Sequence, residues 1–315
     1  FNYSQSSGMS MSGFLPHGSF FGQQDGAPGG AFAFGYQDIN FIEKAIEKGW
    51  LSQDSTISPI DQTRTSDLSI KANVEPIPGL RIDVGFQRNY ASNTQYQYQY
   101  EGMPRTFSGS FSMTTIALGT LFEKRGNIDN NYYSKTFEQF KANRSRVKQV
   151  LEQKYAGTIY PSFGFMSDGE ASSLAGKPFD PVNGTFSENS ADVLIPAFLS
   201  AYTGTSITQT ELIPGFLRML PNWRISYDGL SKLPIVKKYL KNLNITHAYT
   251  CKYSIGAFSS YANFVNIGGD VNTGFVQNVE TGLPIPSSQF DISAVSISEN
   301  FSPLIRVDAT LKNSL

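Results

Sequence analysis

The sequence predicts an all-β protein with helical insertions. Charged residues make up only 16% of the 315-residue chain, whereas globular proteins average about 25%. Glycine, proline and tyrosine, which are typical of turns and strands, number 28, 16 and 16. Several stretches also alternate apolar and polar residues with a period of two, which indicates strands whose two faces meet different surroundings.

Charge and cysteine content exclude several classes of protein. The formal net charge is -1 and no run of Lys and Arg occurs, so we expect no nucleic-acid partner. A single cysteine cannot form a disulfide within the chain, and the two histidines lie far apart. The sequence therefore predicts no structural zinc site. We also expect no other cofactor and no enzymatic activity.

The first regular strands are predicted in residues 67–122. Residues 67–86 alternate in two runs around EPIPG, which predicts a hairpin, and TQYQYQYEG continues the period of two. In FSGSFSMTTIALGTLF the apolar positions change phase, and a β-bulge near Thr114 or Thr115 would explain the change. Residues 1–66 read as a Gly-rich loop region with few strands, apart from a short amphipathic helix at 41–50.

Residues 123–220 are predicted to form a helical and loop insertion between strands. Apolar residues recur near a period of 3.6 from Ser134 to Tyr155, which indicates a helix. A Gly-, Ser- and Pro-rich stretch follows, and a second, short apolar helix is expected at 195–202 before Gly204.

Strands resume in residues 221–315, and the longest of them is LNITHAYTCKYSI, residues 243–255. At about 3.3 Å per residue it would extend roughly 43 Å, whereas soluble strands average five or six residues. Tilted by about 45°, such a strand would cross a bilayer core. The longest apolar run, Val193–Ala201, is far shorter than the roughly 20 residues of a spanning helix.

Patterning alone leaves a large soluble β-sandwich and the wall of a membrane barrel both open. Three features favour the barrel: small uncharged side chains in the polar rows, tyrosines where rows end, and tight turns that alternate with long connections.

Four segments carry a resemblance to a known family. The run PNWRISYDGLSKLPIVKKYLKNLNITHAYTCKYSIGAF, residues 221–258, resembles a stretch of the SprA (Sov) family of Bacteroidetes. FEQFKANRSRV at 137–147, IPAFLSAYTG at 195–204 and LIRVDATLKNSL at 304–315 are similar to further segments of that family, in the same order. The residues that match the family's signature are Asn222, Trp223, Arg224, Tyr227, Asp228 and Gly229.

The resemblance implies a segment of a very large antiparallel transmembrane β-barrel, the outer-membrane translocon of the type IX secretion system. Proteins of that family pass folded cargo, including gliding adhesins, across the bacterial outer membrane. The expected partners are the secreted cargo, a PorV-like shuttle barrel, a plug protein and the lipid bilayer. Because this chain has too few strands for such a barrel and starts at Phe1, we expect it to be a fragment of one.

In such a wall the two rows of the strands would face different media. We expect a lipid-facing row of Leu243, Ile245, Tyr249, Tyr253 and Ile255. We expect lumen-facing positions at Lys71, Arg81, Asp83, Lys252, Arg306 and Asp308.

The remaining candidate sites are interpreted as structural. His247 and Cys251 share a strand face, but same-face residues four apart lie roughly 13 Å from each other, too far for a catalytic dyad. DPVNGTFSE, residues 180–188, departs from the calcium-loop pattern, so no bound calcium is expected.

Two other functions stay open. A soluble, secreted β-rich adhesin or binding protein would also suit the Tyr, Asn and Gln content, and a nutrient porin or other outer-membrane transporter would share the barrel as a closed, self-sufficient unit.

Overall fold

The computed structural model describes residues 1–17, 39–100, 103–124, 126–162, 172–181, 186–267, 273–278 and 280–312. Most of the regular structure is β-strand. The strands are β1 (Asn2–Ser10), β2 (Ile60–Ile77), β3 (Leu80–Tyr96), β4 (Thr106–Thr114), β5 (Asn222–Tyr227), β6 (Leu240–Ser260), β7 (Val265–Asn266), β8 (Gly274–Gln277), β9 (Pro284–Ser287), β10 (Phe290–Ile292), β11 (Val295–Phe301) and β12 (Arg306–Leu311). The α-helices are α1 (Ile39–Glu47), α2 (Leu118–Leu121), α3 (Lys135–Tyr155), α4 (Ala191–Thr203) and α5 (Pro234–Tyr239).

Nine strands form one antiparallel sheet. Its order is β1, β2, β3, then β4 and β5 end to end, then β6, and finally β10, β11 and β12 end to end along the far edge of β6. Strands β7, β8 and β9 form a second, small sheet. The sheet of the described strands is open, so this chain is not itself a very large barrel; the all-β class with helical insertions is confirmed.

The longest strand, β6, extends well beyond the predicted 243–255. It has 21 residues, about 69 Å at 3.3 Å per residue. Phe111 lies opposite Ile255 while Gly109 lies opposite Phe258, so β6 carries a bulge between these pairs. Among the described residues, no helix is long and apolar enough to cross a membrane.

The insertion begins where β4 ends. The chain leaves the sheet after Thr114 and returns at Asn222, so that β4 and β5 occupy one position between β3 and β6. The predicted bulge near Thr114 or Thr115 is wrong: the apolar phase changes there because the strand stops. The insertion therefore leaves and re-enters the sheet at an interior position, between β3 and β6, rather than at an edge.

Local signals set the two main helices. Ser134 caps α3, its Oγ accepting the backbone N–H of Phe137 at 3.1 Å. Gly204 ends α4 with a left-handed backbone, φ 73°. Helix α3 lies where the apolar periodicity predicts it, whereas α4 begins at Ala191, four residues before the predicted start at 195.

Several strand boundaries in the structure differ from the predicted ones. Strand β2 begins at Ile60, before the predicted start at 67, and β1 lies in the region expected to hold few strands. Strand β3 ends at Tyr96, so the alternation of TQYQYQYEG overstated the strand. Tyr98 packs instead in a small cluster with Ile42, Leu51 and Ile60.

Antiparallel pairing gives the sheet two contrasting sides. We call the side that carries Phe86, Met113, Tyr253 and Ile297 the apolar face, and the opposite side the polar face. Helix α4 packs on the apolar face through Ile195 and Leu199. Tyr155, at the end of α3, is fully buried and ties the helix to the small sheet: its Oη lies 2.7 Å from the carbonyl oxygen of Gly274 and 2.9 Å from its N–H.

Candidate functional site

All six charged residues predicted to face a lumen lie on the polar face. Asp83 stands opposite Arg224, while Arg81, Ser226, Thr246 and Arg306 form one row across four strands. The pairing registers place the other three on the same side. The structure therefore brings together side chains from β2, β3, β6 and β12 that are widely separated along the chain: Lys71, Arg81, Asp83, Lys252, Arg306 and Asp308.

Short hydrogen bonds and mixed charges cover this face. Arg306 Nε lies 2.9 Å from Asp308 Oδ1, and Asn73 Nδ2 donates to Asp83. Ser226 Oγ donates to Asn244 Oδ1 at 2.9 Å. Exposed ion pairs contribute only about 0–1 kcal/mol to stability, so the main effect of these groups is a hydrated surface with both signs of charge.

Three residues predicted to contact lipid are covered by the chain's own insertion. Tyr249, Tyr253 and Ile255 are 0%, 3% and 1% exposed. Tyr253 Oη donates to the carbonyl oxygen of Leu212 at 2.9 Å, and Tyr249 Oη accepts the N–H of Ala117 at 3.0 Å. The lipid-facing prediction is wrong for these three because the segment between β4 and β5 folds back over them.

The apolar face continues past the insertion without a cover among the described residues. One row runs Val74, Ile82, Ile225 and His247; the next runs Leu80, Tyr227, Ile245 and Val307. Val74 and Val307, at the two ends, are 51% and 58% exposed, and the six residues between them are half-buried. We call these eight residues the open apolar rows. Leu243, one step further along β6 on the same face, is half-buried.

An aromatic row separates the covered part of the apolar face from the open part. Trp223 stacks on Tyr249 with ring centroids 4.4 Å apart, and Tyr249 lies 5.3 Å from Phe301. His247, in the next row, places Nδ1 2.6 Å from the carbonyl oxygen of Leu304.

The signature residues of the resemblance hold β5 and the β2–β3 hairpin in place. Asn222 Oδ1 accepts the backbone N–H of Cys251 at 2.7 Å. The N–H of Asp228 donates to the carbonyl oxygen of Gly79 in the hairpin turn at 2.9 Å. A Cβ on Gly229 would lie 2.5 Å from the Tyr227 ring, so a larger residue at this position would displace the Tyr227 side chain. Arg224 points to the polar face opposite Asp83.

The surroundings of His247 and Cys251 differ. His247 is half-buried in the open apolar rows, whereas Cys251 is buried beside Tyr249 and Ala117. Among the residues that the structure describes, no three His, Cys, Asp or Glu side chains lie close enough together to hold a metal ion. Of the calcium-loop candidate at 180–188, residues 182–185 lie outside the described residues.

Sequence reasoning missed one group of exposed residues in the insertion. The segment 122–137 exposes several aromatic and aliphatic side chains, although its sequence shows no regular period. Their clustering in FEKRGNIDNNYYSKTF was a usable signal, but only the fold shows which side chains stay outside.

No protein-family model matches the chain, and no curated protein gives a significant match in sequence. The resemblance to the SprA family stays a prediction.

Proposed function

We propose that this chain is a segment of the wall of a large outer-membrane β-barrel that conducts folded proteins to the cell surface, as its resemblance to the SprA family implies. The wall excludes lipid, and its polar face lines the conduit. It performs no bond chemistry, and the energy for transport comes from an inner-membrane motor.

The open apolar rows are the observation that carries the proposal. They form a continuous apolar surface across β2, β3, β5, β6 and β12, on the side of the sheet opposite the polar face. Burying apolar surface is favourable by about 25 cal/mol per Å², and contiguous exposed patches of this kind mark contact with a membrane or a protein. Lipid tails supply such contact along the whole width of the sheet.

Strand length and the position of the insertion agree with this assignment. Residues 240–249 of β6, from its start to the aromatic row, match the about 9–11 residues of a tilted transmembrane strand. The insertion, which carries polar helices and irregular backbone, cannot face hydrocarbon and lies outside it in this arrangement. The half-buried rings of Trp223 and Phe301 then stand where barrels place aromatic girdles.

The polar face suits a conduit for folded cargo. Side chains of both signs and many Ser, Thr and Asn residues offer passing proteins a hydrated surface with little apolar area to adhere to. The partners that the resemblance implies, a PorV-like shuttle barrel and a plug protein, then act on the assembled barrel.

A soluble secreted binding protein is the second candidate, and the buried clusters beneath α3 and α4 favour it. In that case the open apolar rows would contact another protein.

Val307→Arg tests the proposal against this alternative. Because Val307 is 58% exposed, the substitution is nearly neutral in a soluble protein, whereas arginine in a lipid-facing barrel position costs about 2–4 kcal/mol near the midplane. We expect Val307→Arg to prevent assembly in the outer-membrane fraction and to stop cargo secretion. Thr310→Arg, on the polar face of the same strand, is the matched control and should assemble normally. Normal assembly and secretion by Val307→Arg would contradict the barrel wall.

A further inference from the structure

The segment 122–137 presents an unusual apolar surface outside the sheet. Phe122, Ile128, Tyr132 and Tyr133 are 72%, 77%, 69% and 54% exposed. We call the described residues of this segment the aromatic loop. Patches of exposed aromatic and aliphatic side chains indicate contact with a partner or a membrane.

Hydrogen bonds within the aromatic loop hold its backbone in a defined conformation. Asn127 and Asn130 form reciprocal side-chain to backbone bonds of 3.1 and 2.8 Å around a short 3₁₀ turn. Asn131 and Tyr132 both adopt left-handed backbone, with φ of 52° and 56°. Such backbone is costly for a bulky residue and persists only where the surroundings enforce it.

The base of the loop is also fastened. The N–H of Thr136 donates to Glu123 Oε1 at 3.1 Å, and the Thr136 hydroxyl donates to Glu123 Oε2. A Cβ on Gly126 would lie 2.4 Å from the backbone carbon of Tyr132. These contacts hold the loop closed while its apolar side chains point outward.

The loop is continuous with the boundary of the open apolar rows. The Phe122 ring lies 5.9 Å from the ring of Phe301, which belongs to the aromatic row. The exposed surface of the insertion therefore begins where the uncovered part of the apolar face begins.

We propose that the aromatic loop rests in the lipid headgroup layer and anchors the insertion flat against the membrane surface. This inference rests on the proposed function, because it takes the open apolar rows to contact the hydrocarbon. Tyr side chains concentrate at this depth, where an apolar ring and a polar hydroxyl are both accommodated, and Phe side chains lie on the apolar side of interfacial segments. The exposed side chains of Lys124 and Lys135, near the two ends of the loop, reach the headgroup phosphates from there.

Spin-label depth measurements test the anchor. Single cysteines at Ile128 and Tyr133 are labelled with a nitroxide in the full-length parent protein, reconstituted in phospholipid vesicles. Native Cys251 is 1% exposed and does not compete for the label. The collision rate with oxygen, relative to that with a water-soluble nickel complex, reports the depth of each label.

Three further positions serve as references. Val307 in the open apolar rows reports the hydrocarbon, and Lys252 on the polar face reports water. Gln149, on the exposed side of α3, is the matched control within the insertion. We expect an oxygen-to-nickel ratio at positions 128 and 133 that is several-fold above that at 149 and below that at 307.

The outcomes separate the two proposals. Labels at 128 and 133 as accessible to nickel as the label at 149, with 307 still in hydrocarbon, would overturn the anchor and leave the barrel wall standing. Shielding of 128 and 133 from both reagents would mean that a protein covers the loop, which also overturns the anchor. A water-accessible label at 307 would remove the proposed function and the anchor with it.

Discussion

At the scale of single residues, the buried carboxyl of Asp192 shows how folding changes the pKa of a side chain. It lies in the first turn of α4, where Asp192 Oδ2 accepts the N–H of Ser288 at 3.1 Å and lies 3.4 Å from the Ser287 hydroxyl. It also borders a cavity of about 530 Å³ between the insertion and the sheet. Burial raises the pKa of the Asp192 carboxyl above its ordinary 3.8, although both serines oppose this shift.

Asp192→Asn should become more stable than the native protein as pH rises. The folded state holds the Asp192 proton more tightly than the unfolded chain does, so the free energy of unfolding falls from about pH 3.8 upward through the folded pKa. Asparagine stays neutral and removes this loss. Chemical denaturation at several pH values between about 3 and 7 measures the difference.

Asp54→Asn supplies a control of opposite sign. Hydrogen bonds from the Thr56 N–H and hydroxyl lower the pKa of the exposed Asp54 carboxyl. Its stabilising contribution is therefore present above the ordinary pKa of 3.8 and is lost as pH falls. If the Asp192→Asn difference stays constant with pH, the carboxyl is not buried as the structure places it.

At the scale of elements, the turn of the β2–β3 hairpin fits against the start of the segment that follows β5. Gly79 has a φ of 89°, and its N–H donates to Glu75 Oε1 at 2.9 Å. A Cβ at this position would lie 2.2 Å from Asp228 Oδ1 and 2.9 Å from the N–H of Gly229. Asp228 and Gly229 of the signature thus fit against the turn of a neighbouring hairpin, a contact that the pattern of a single strand does not predict.

Gly79→Ala should lower the free energy of unfolding by about 1–3 kcal/mol, because alanine is strained at positive φ and would push Asp228 away. Gly85→Ala is the matched control, since a Cβ there meets nothing within 4 Å. The control should be unchanged or slightly more stable. Denaturant unfolding of both variants measures the effect, and equal stabilities would contradict the close contact between the turn and Asp228.

At the scale of the whole molecule, the free edges of the sheet decide how it assembles. Strand β1 pairs with β2 along one side and meets no other described strand. Its sequence, NYSQSSGMS, carries no charge or proline, the usual devices that prevent an edge from pairing further. If the barrel wall continues beyond this chain, its next strand would pair with the free edge of β1.

Hydrogen exchange on the membrane-assembled full-length protein should show nearly all amides of Asn2–Ser10 protected. In an antiparallel strand with a single neighbour, about half of the amides point outward and exchange quickly. Mass spectrometry of peptides from this strand measures the protected fraction, and peptides from β3, which is paired on both sides, are the reference. Rapid exchange of half of the β1 amides would show that the wall ends at β1.

The sequence by itself determined the β class, the alternation that puts Leu243 and Ile245 on one face and Lys252 on the other, the long helix at 134–155 and a second, short helix around 195–202. These depend on local periodicity and capping, which each segment carries within itself. Only the tertiary structure decided that Tyr249, Tyr253 and Ile255 are covered while Val74 and Val307 are open. Burial depends on which distant segment folds back over a strand. The insertion that covers β6 lies between β4 and β5, so the alternation of residues within β6 cannot predict which part of β6 is covered.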